Sequence, residues 1–142
     1  MFSIVQAKLN PQSIPSFLGF KPFVILSGSM RPFLEKDDII LVKHVKAAMI
    51  ETGDIITFQA DEEILVTHRV VDITWDENGN ISFKTKGDAN GKEDHQLVRE
   101  EQLIGKYFFN IPKGGCFAKF VQTYGGIILC IFLPVSLLVL KN

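Results

Sequence analysis

Two runs rich in β-branched residues, Glu63 to Trp75 and Ile81 to Lys86, flank the segment Asp76-Glu-Asn-Gly-Asn. Asn-Gly is the pair that most readily takes the left-handed backbone of a tight hairpin turn, so the two runs are expected to pair as antiparallel neighbours. The chain around this hairpin reads the same way. Asp38 to Val45 is apolar and β-branched, Asp54 to Gln59 carries Ile55, Ile56 and Phe58, and Leu103 to Ile111 is a further strand candidate. There is no internal repeat, heptad pattern or low-complexity segment, so the body is expected to be mostly β, a partly coiled sheet with helices mainly at the ends.

The chain has 142 residues, 46% of them apolar, which suits one compact domain with a core of its own. Fifteen basic residues face sixteen acidic ones, and no stretch is both basic and aromatic, which argues against a nucleic-acid partner. Eight carboxylates lie between Glu51 and Glu77 against the single basic residue Arg69, the composition of a solvated acidic face. Two cysteines, Cys116 and Cys130, are too few for a disulfide framework and read as free thiols.

The ends differ from the body. Residues 120–140 contain no charged side chain, a length of about 20 residues that suits a bilayer-spanning helix. A buried core helix kinked at Pro134 is the competing reading. Met1 to Val5 is apolar but too short for a signal-peptide core, so no cleavable targeting segment is expected. Pro11, Pro15 and Pro22 make the next stretch an irregular or extended connector. The expected organisation is a connector over 1–22, a β-rich domain over 23–119, a transmembrane helix over 120–140 and a tail at 141–142.

The segment with the most chemical information is Phe23-Val-Ile-Leu-Ser-Gly-Ser-Met-Arg-Pro-Phe. An apolar extended run leads into Ser27-Gly28-Ser29, and Pro32 restricts the continuation, so Ser29 is displayed on a fixed turn at a strand end. A serine needs a base to become a nucleophile and donors to meet the oxyanion. Taken alone, Ser-Gly-Ser is also a common loop tripeptide. Among three histidines, His68 alternates with Ile64, Val66 and Val70 on one strand face, as either a core histidine or a desolvated general base. His44 follows a lysine and reads as solvent-facing, and His95 lies in a charged loop run. After the hairpin partner come Asp88 and Asp94, either of which could orient an imidazole. The competing reading is a polar turn in which Asp88 and Asn90 bond their own backbone. No Cys or Cys-His spacing of a metal site is present.

Together these segments resemble signal peptidase I, in its endoplasmic-reticulum-type branch shared by eukaryotes, archaea and spore-forming Gram-positive bacteria. Ser27-Gly-Ser-Met-Arg-Pro resembles its nucleophile box, His68-Arg-Val its base box, and Gly87-Asp-Ala-Asn with Asp94 its acidic box, over about Gly19 to Tyr107. The resemblance implies a signal-peptidase-like coiled β-sheet catalytic domain with Ser29 as nucleophile and His68 as general base. It also implies Asp88 as the supporting carboxylate and Asp94 as a second family aspartate. The bacterial and organellar branch has a lysine where His68 stands, and a Ser-Lys version of this site would have to recruit Lys84 or Lys86. By analogy with that branch, the Ser29 N–H and the Ser27 hydroxyl would line the oxyanion hole. Members of this branch usually carry an N-terminal membrane helix before the region that begins here, and Met1 to Val5 matches no more than its last turn.

The function implied is acyl transfer on exported precursors cut after an Ala-X-Ala-like segment, with no cofactor and no metal. The extended substrate is expected to add as a strand along Phe23, Val24, Ile25 and Leu26. Phe17, Phe20 and Phe33 are candidates either for the bilayer surface or for ordinary core. The implied partners are signal peptides and the lipid bilayer. The implied location is an integral membrane one, with the catalytic domain on the outer or lumenal face. Two alternatives differ in class. A self-cleaving repressor would need a lysine base and a DNA-binding region. A membrane-tethered non-catalytic β-domain would bind extended peptides through its sheet edge.

Overall fold

A computed structural model describes residues 19–115 and 124–141. Most of the expected connector, Phe17, Cys116 and residues 120–123 lie outside the described residues, as does the side chain of Cys130.

Seven strands form a single antiparallel sheet. They are β1 (Phe20–Val24), β2 (Ile39–Lys43), β3 (Ile55–Asp61), β4 (Ile64–Trp75), β5 (Ile81–Lys86), β6 (Val98–Arg99) and β7 (Leu103–Ile111), in the order β1-β2-β7-β3-β4-β5-β6. The hairpin expected at Asn78-Gly79 is present as β4 and β5, whose last pair is Trp75 with Ile81. Its turn spans residues 76–80: Asp76 Oδ1 accepts the N–H groups of Asn78 and Asn80, and Gly79 supplies the positive φ of 83°. These bonds, led by those from Asn80, hold the Asp76 carboxyl below its ordinary pKa. β1 begins at Phe20, inside the stretch read as connector. Its position at the sheet edge explains why Pro22 is tolerated there, since one side of an edge strand has no ladder to satisfy.

The sheet is covered on both faces, and β3 shows why. Successive side chains of a strand point to opposite faces, so Ile55 joins one apolar cluster with Phe23, Ile25, Met30, Leu34 and Ile40. Ile56 joins another with Phe58, Val70, Phe83 and Val98. Irregularities in register at Leu41/Val42, Thr57/Phe58 and Val70/Asp72 bend the strands, the usual effect of an extra residue in a ladder.

The remaining helix, α1, runs over Tyr124–Leu140 and contains Pro134. It covers the expected span of 120–140 from Tyr124 onward, the residues before it lying outside those described. At 1.5 Å per residue its 17 residues cover about 26 Å, less than the roughly 30 Å of a bilayer core. No helix among the described residues is long and apolar enough to cross a membrane. The large apolar side chains described on α1, from Ile128 to Leu140, are all exposed.

The burial pattern sets an expectation for stability. Phe83 is fully buried, whereas Trp75 stands exposed at the hairpin end. Phe83→Ala is expected to lower unfolding free energy by about 3–5 kcal/mol and Trp75→Ala by under about 1 kcal/mol, measured by denaturant titration.

Candidate active site

β1 ends in a braced turn. The Ile25 N–H donates to Asp38 O (2.8 Å) and the Asp37 N–H to Ile25 O (2.7 Å). Buried Asp38 accepts the N–H groups of Glu35 (3.0 Å) and Lys113 (2.9 Å) on its two carboxylate oxygens. Met30 and Leu34, directly after Ser29, anchor the turn in the first cluster. Ser29 itself is buried, with its Oγ 3.4 Å from Ser27 Oγ. Phe23 and Ile25 are buried, while Val24 and Leu26 are half-buried.

The far side of the turn is held by the segment after β5. The Ala89 N–H donates to Ser29 O at 2.8 Å. Gly87 permits this approach, because a Cβ there would lie 2.8 Å from Ser29 O and 2.6 Å from Asn90 Nδ2. The serine turn and the acidic segment are thus packed backbone to backbone.

His68 sits on β4 opposite Ile56 and is 4% exposed. Pairing with Ile56 puts it on the face of the second cluster, where the Phe58 ring meets the imidazole edge-on, with centroids 6.4 Å apart. It lines a cleft of about 900 Å³ whose walls include Phe58, Ile64, Val66 and Leu97. Asp94 Oδ2 lies 2.6 Å from His68 Nδ1 and also accepts the Thr85 hydroxyl at 2.7 Å. The Asp94 N–H donates in turn to Thr85 O at 2.8 Å. Burial works to raise the Asp94 pKa, but the bonds from His68 and Thr85 outweigh it and leave the carboxyl below its ordinary value. An ionised carboxylate only accepts, so this network assigns the proton of a neutral His68 to Nδ1 and leaves Nε2 bare. Nε2 is buried and has no hydrogen-bond partner among the described residues.

Asp88 is engaged elsewhere. Its two oxygens take a bidentate pair from Arg69, Nε to Oδ1 at 2.8 Å and Nη2 to Oδ2 at 2.7 Å. This bond, ahead of the opposing effect of burial, raises the Arg69 pKa. Arg69 Nη1 donates to Gly53 O at 2.9 Å, and its guanidinium lies 5.2 Å from the centroid of the Phe33 ring. The carboxylate against His68 is therefore Asp94, and the expectation of Asp88 in that place is corrected. Arg69 follows His68 in the strand and points to the opposite face, so Asp88 meets the arginine instead.

The other candidates fall as follows. His44 and His95 are exposed, as read from their charged neighbours. Lys84 pairs with Glu93 at 2.8 Å on the surface, and that bond raises its pKa. Arg69 and Thr85 were absent from the sequence-derived site. The signal available for Arg69 was its adjacency to His68 in a strand facing the acidic segment. Thr85 had only its place two residues before Gly87.

Comparison with known proteins places the chain beside signal peptidases. A family model described as signal peptidase, peptidase S26, matches residues 13–93, which include Ser29, His68 and Asp88 and stop one residue short of Asp94. Signal peptidase I W of Bacillus subtilis (strain 168) is 39% identical over 100 residues, 69% of this chain and 52% of its own length. The human signal peptidase complex catalytic subunit SEC11C is 36% identical over 80 residues, 56% of this chain and 42% of its own length. The chain thus spans about half the length of these relatives.

Two measurements check the geometry without an activity assay. Gly87→Ala is expected to cost about 1–3 kcal/mol and to speed hydrogen exchange at the Ala89 amide, because the added methyl presses on Ser29 O. For Asp94, a folded pKa below the unfolded one gives stability that is present above the unfolded value, about 3.9, and is lost as pH falls through the folded value. The stability difference between the parent and Asp94→Asn should therefore be full at pH 7 and shrink below about pH 4.

Proposed function

The chain belongs to the signal peptidase family, peptidase S26, and on that premise we propose that it is a membrane-bound serine endopeptidase removing N-terminal signal peptides from exported precursors. The observation that carries the reading is His68: a buried imidazole held at Nδ1 by Asp94, with Nε2 bare, on the strand next to the segment that grips Ser29. That is the state required of a general base.

In the proposed reaction Ser29 Oγ attacks the scissile carbonyl carbon as His68 Nε2 takes the hydroxyl proton. The carbon–nitrogen bond then breaks, the imidazolium returns the proton to the departing amine, and the signal peptide remains as an ester on Ser29. Water, deprotonated by the same imidazole, attacks the ester carbon; the carbon–oxygen bond to Ser29 breaks, the imidazolium returns the proton to Ser29 Oγ, and the signal peptide leaves with a free carboxylate. Asp94 fixes the tautomer and balances the imidazolium. The Ser29 N–H and the Ser27 hydroxyl are the proposed oxyanion donors, and the 3.4 Å separation of Ser27 Oγ from Ser29 Oγ supports the second. Asp88 acts by holding Arg69.

The substrate is proposed to lie along Phe23 to Leu26. The reading is supported by the edge position of β1, which has β2 on one side and no strand among the described residues on the other. We further propose that the uncharged stretch 120–140, which includes α1, anchors the domain in the bilayer with the site on the outer or lumenal face. The exposure of its large apolar side chains supports that placement.

The test is cleavage of a precursor with an Ala-X-Ala site by membranes containing the full chain. One specific cut is expected from the parent, with activity falling about 10³-fold or more in Ser29→Ala and His68→Ala. Retained cutting in either variant would remove that residue from the catalytic role, whereas no cutting by the parent would favour a peptide-binding domain without catalysis. Asp88→Asn is expected to lower the unfolding temperature and the activity together, since it releases Arg69 and not His68.

A further inference from the structure

Thr85 is fully buried on β5, in register with Val70, and its side chain shares the face that carries His68. Its hydroxyl donates to Asp94 Oδ2, the same oxygen that meets His68 Nδ1. Its carbonyl accepts the Asp94 N–H. One residue therefore holds both the main chain and the carboxylate of Asp94. Residues 87–97 contain no helix or strand, so Asp94 has no regular ladder to fix it. A carboxylate on such a loop has rotational freedom about its side-chain bonds.

We propose that Thr85 is a positioning residue of the active site, setting the direction of Asp94 Oδ2 and through it the ring orientation and tautomer of His68. The inference rests on the base role given to His68 above. Thr85 is inaccessible, so it acts through Asp94 and not on the substrate. Its donation occupies one lone-pair direction of Oδ2 and leaves another for the imidazole. Without it, the bond to His68 alone would have to hold the carboxylate while the ring gains and loses a proton. A well-placed carboxylate matters most when the imidazolium forms, so the loss should appear in kcat rather than in KM.

The experiment compares Thr85→Val, which keeps the shape and removes the hydroxyl, with Thr85→Ser, which keeps the hydroxyl and removes the methyl. Both are assayed on the precursor in membranes beside Ser29→Ala and His68→Ala. Thr85→Val is expected to lower kcat about 10- to 100-fold with KM within about twofold, and Thr85→Ser to recover to within about threefold of the parent. A readout independent of turnover is the proton resonance of His68 Nδ1, expected to broaden by exchange in Thr85→Val and to persist in Thr85→Ser. Parent-like kcat and an unchanged resonance in Thr85→Val would overturn the inference, as would equal impairment of both variants, which would mark a packing role. If Ser29→Ala or His68→Ala still cuts, the base reading itself fails. If both are dead while Thr85→Val behaves as the parent, only the role of Thr85 is lost.

Discussion

The bidentate ion pair between Arg69 and Asp88 joins the three segments on which the site depends. Arg69 belongs to β4, Asp88 to the exit from β5, and the Phe33 ring beneath the guanidinium to the loop that begins at Ser29. Both partners are partly shielded, with side chains 32% and 19% exposed, so the pair is neither screened as a surface bridge nor stripped of solvent as a buried one. Two parallel N–H to oxygen bonds fix orientation as well as distance, which a lysine at the same place could not do. Because Ala89 next holds Ser29 O, the position of Ser29 follows from that of Asp88.

Strand geometry then distributes the remaining tasks. His68 and Arg69 are neighbours in β4 and so emerge on opposite faces of the sheet. Asp88 meets the arginine on one face, while Asp94 meets the histidine and Thr85 on the other. The intervening residues must pass around the end of β5, which accounts for their irregular backbone and for their place in the wall of the cleft beside His68. Two aspartates six positions apart thereby acquire separate tasks, one mechanical and one electrostatic.

Much of this was legible in the sequence. The β-branched runs, the Asn78-Gly79 turn and the alternation around His68 each follow from local rules of strand and turn chemistry, and the structure has them at or near the expected boundaries. The apolar face of β4 also identified His68 as buried. What could not be read was which carboxylate reaches it. Asp88 is nearer the hairpin in sequence, but the choice depends on the face each loop residue occupies after the chain leaves β5, and no periodicity governs a loop. Arg69 and Thr85 were missed for the same reason, since their roles exist only through partners distant in sequence.

The bare nitrogen of His68 contrasts with other buried polar groups of the fold. Several of them meet one another: Thr57 with Thr67 at 2.7 Å, Thr85 with Asp94, Asp38 with two backbone N–H groups. An unpaired buried acceptor costs about 1–3 kcal/mol, and the replacement of His68 by an apolar residue of similar size would remove that cost together with the need for Asp94. A purely structural strand would have no use for an imidazole tied at one nitrogen and bare at the other. A general base requires that arrangement, and the ionised Asp94 behind it offsets the charge of the protonated ring. The local instability at Nε2 and the proposed chemistry are then two descriptions of the same vacant lone pair.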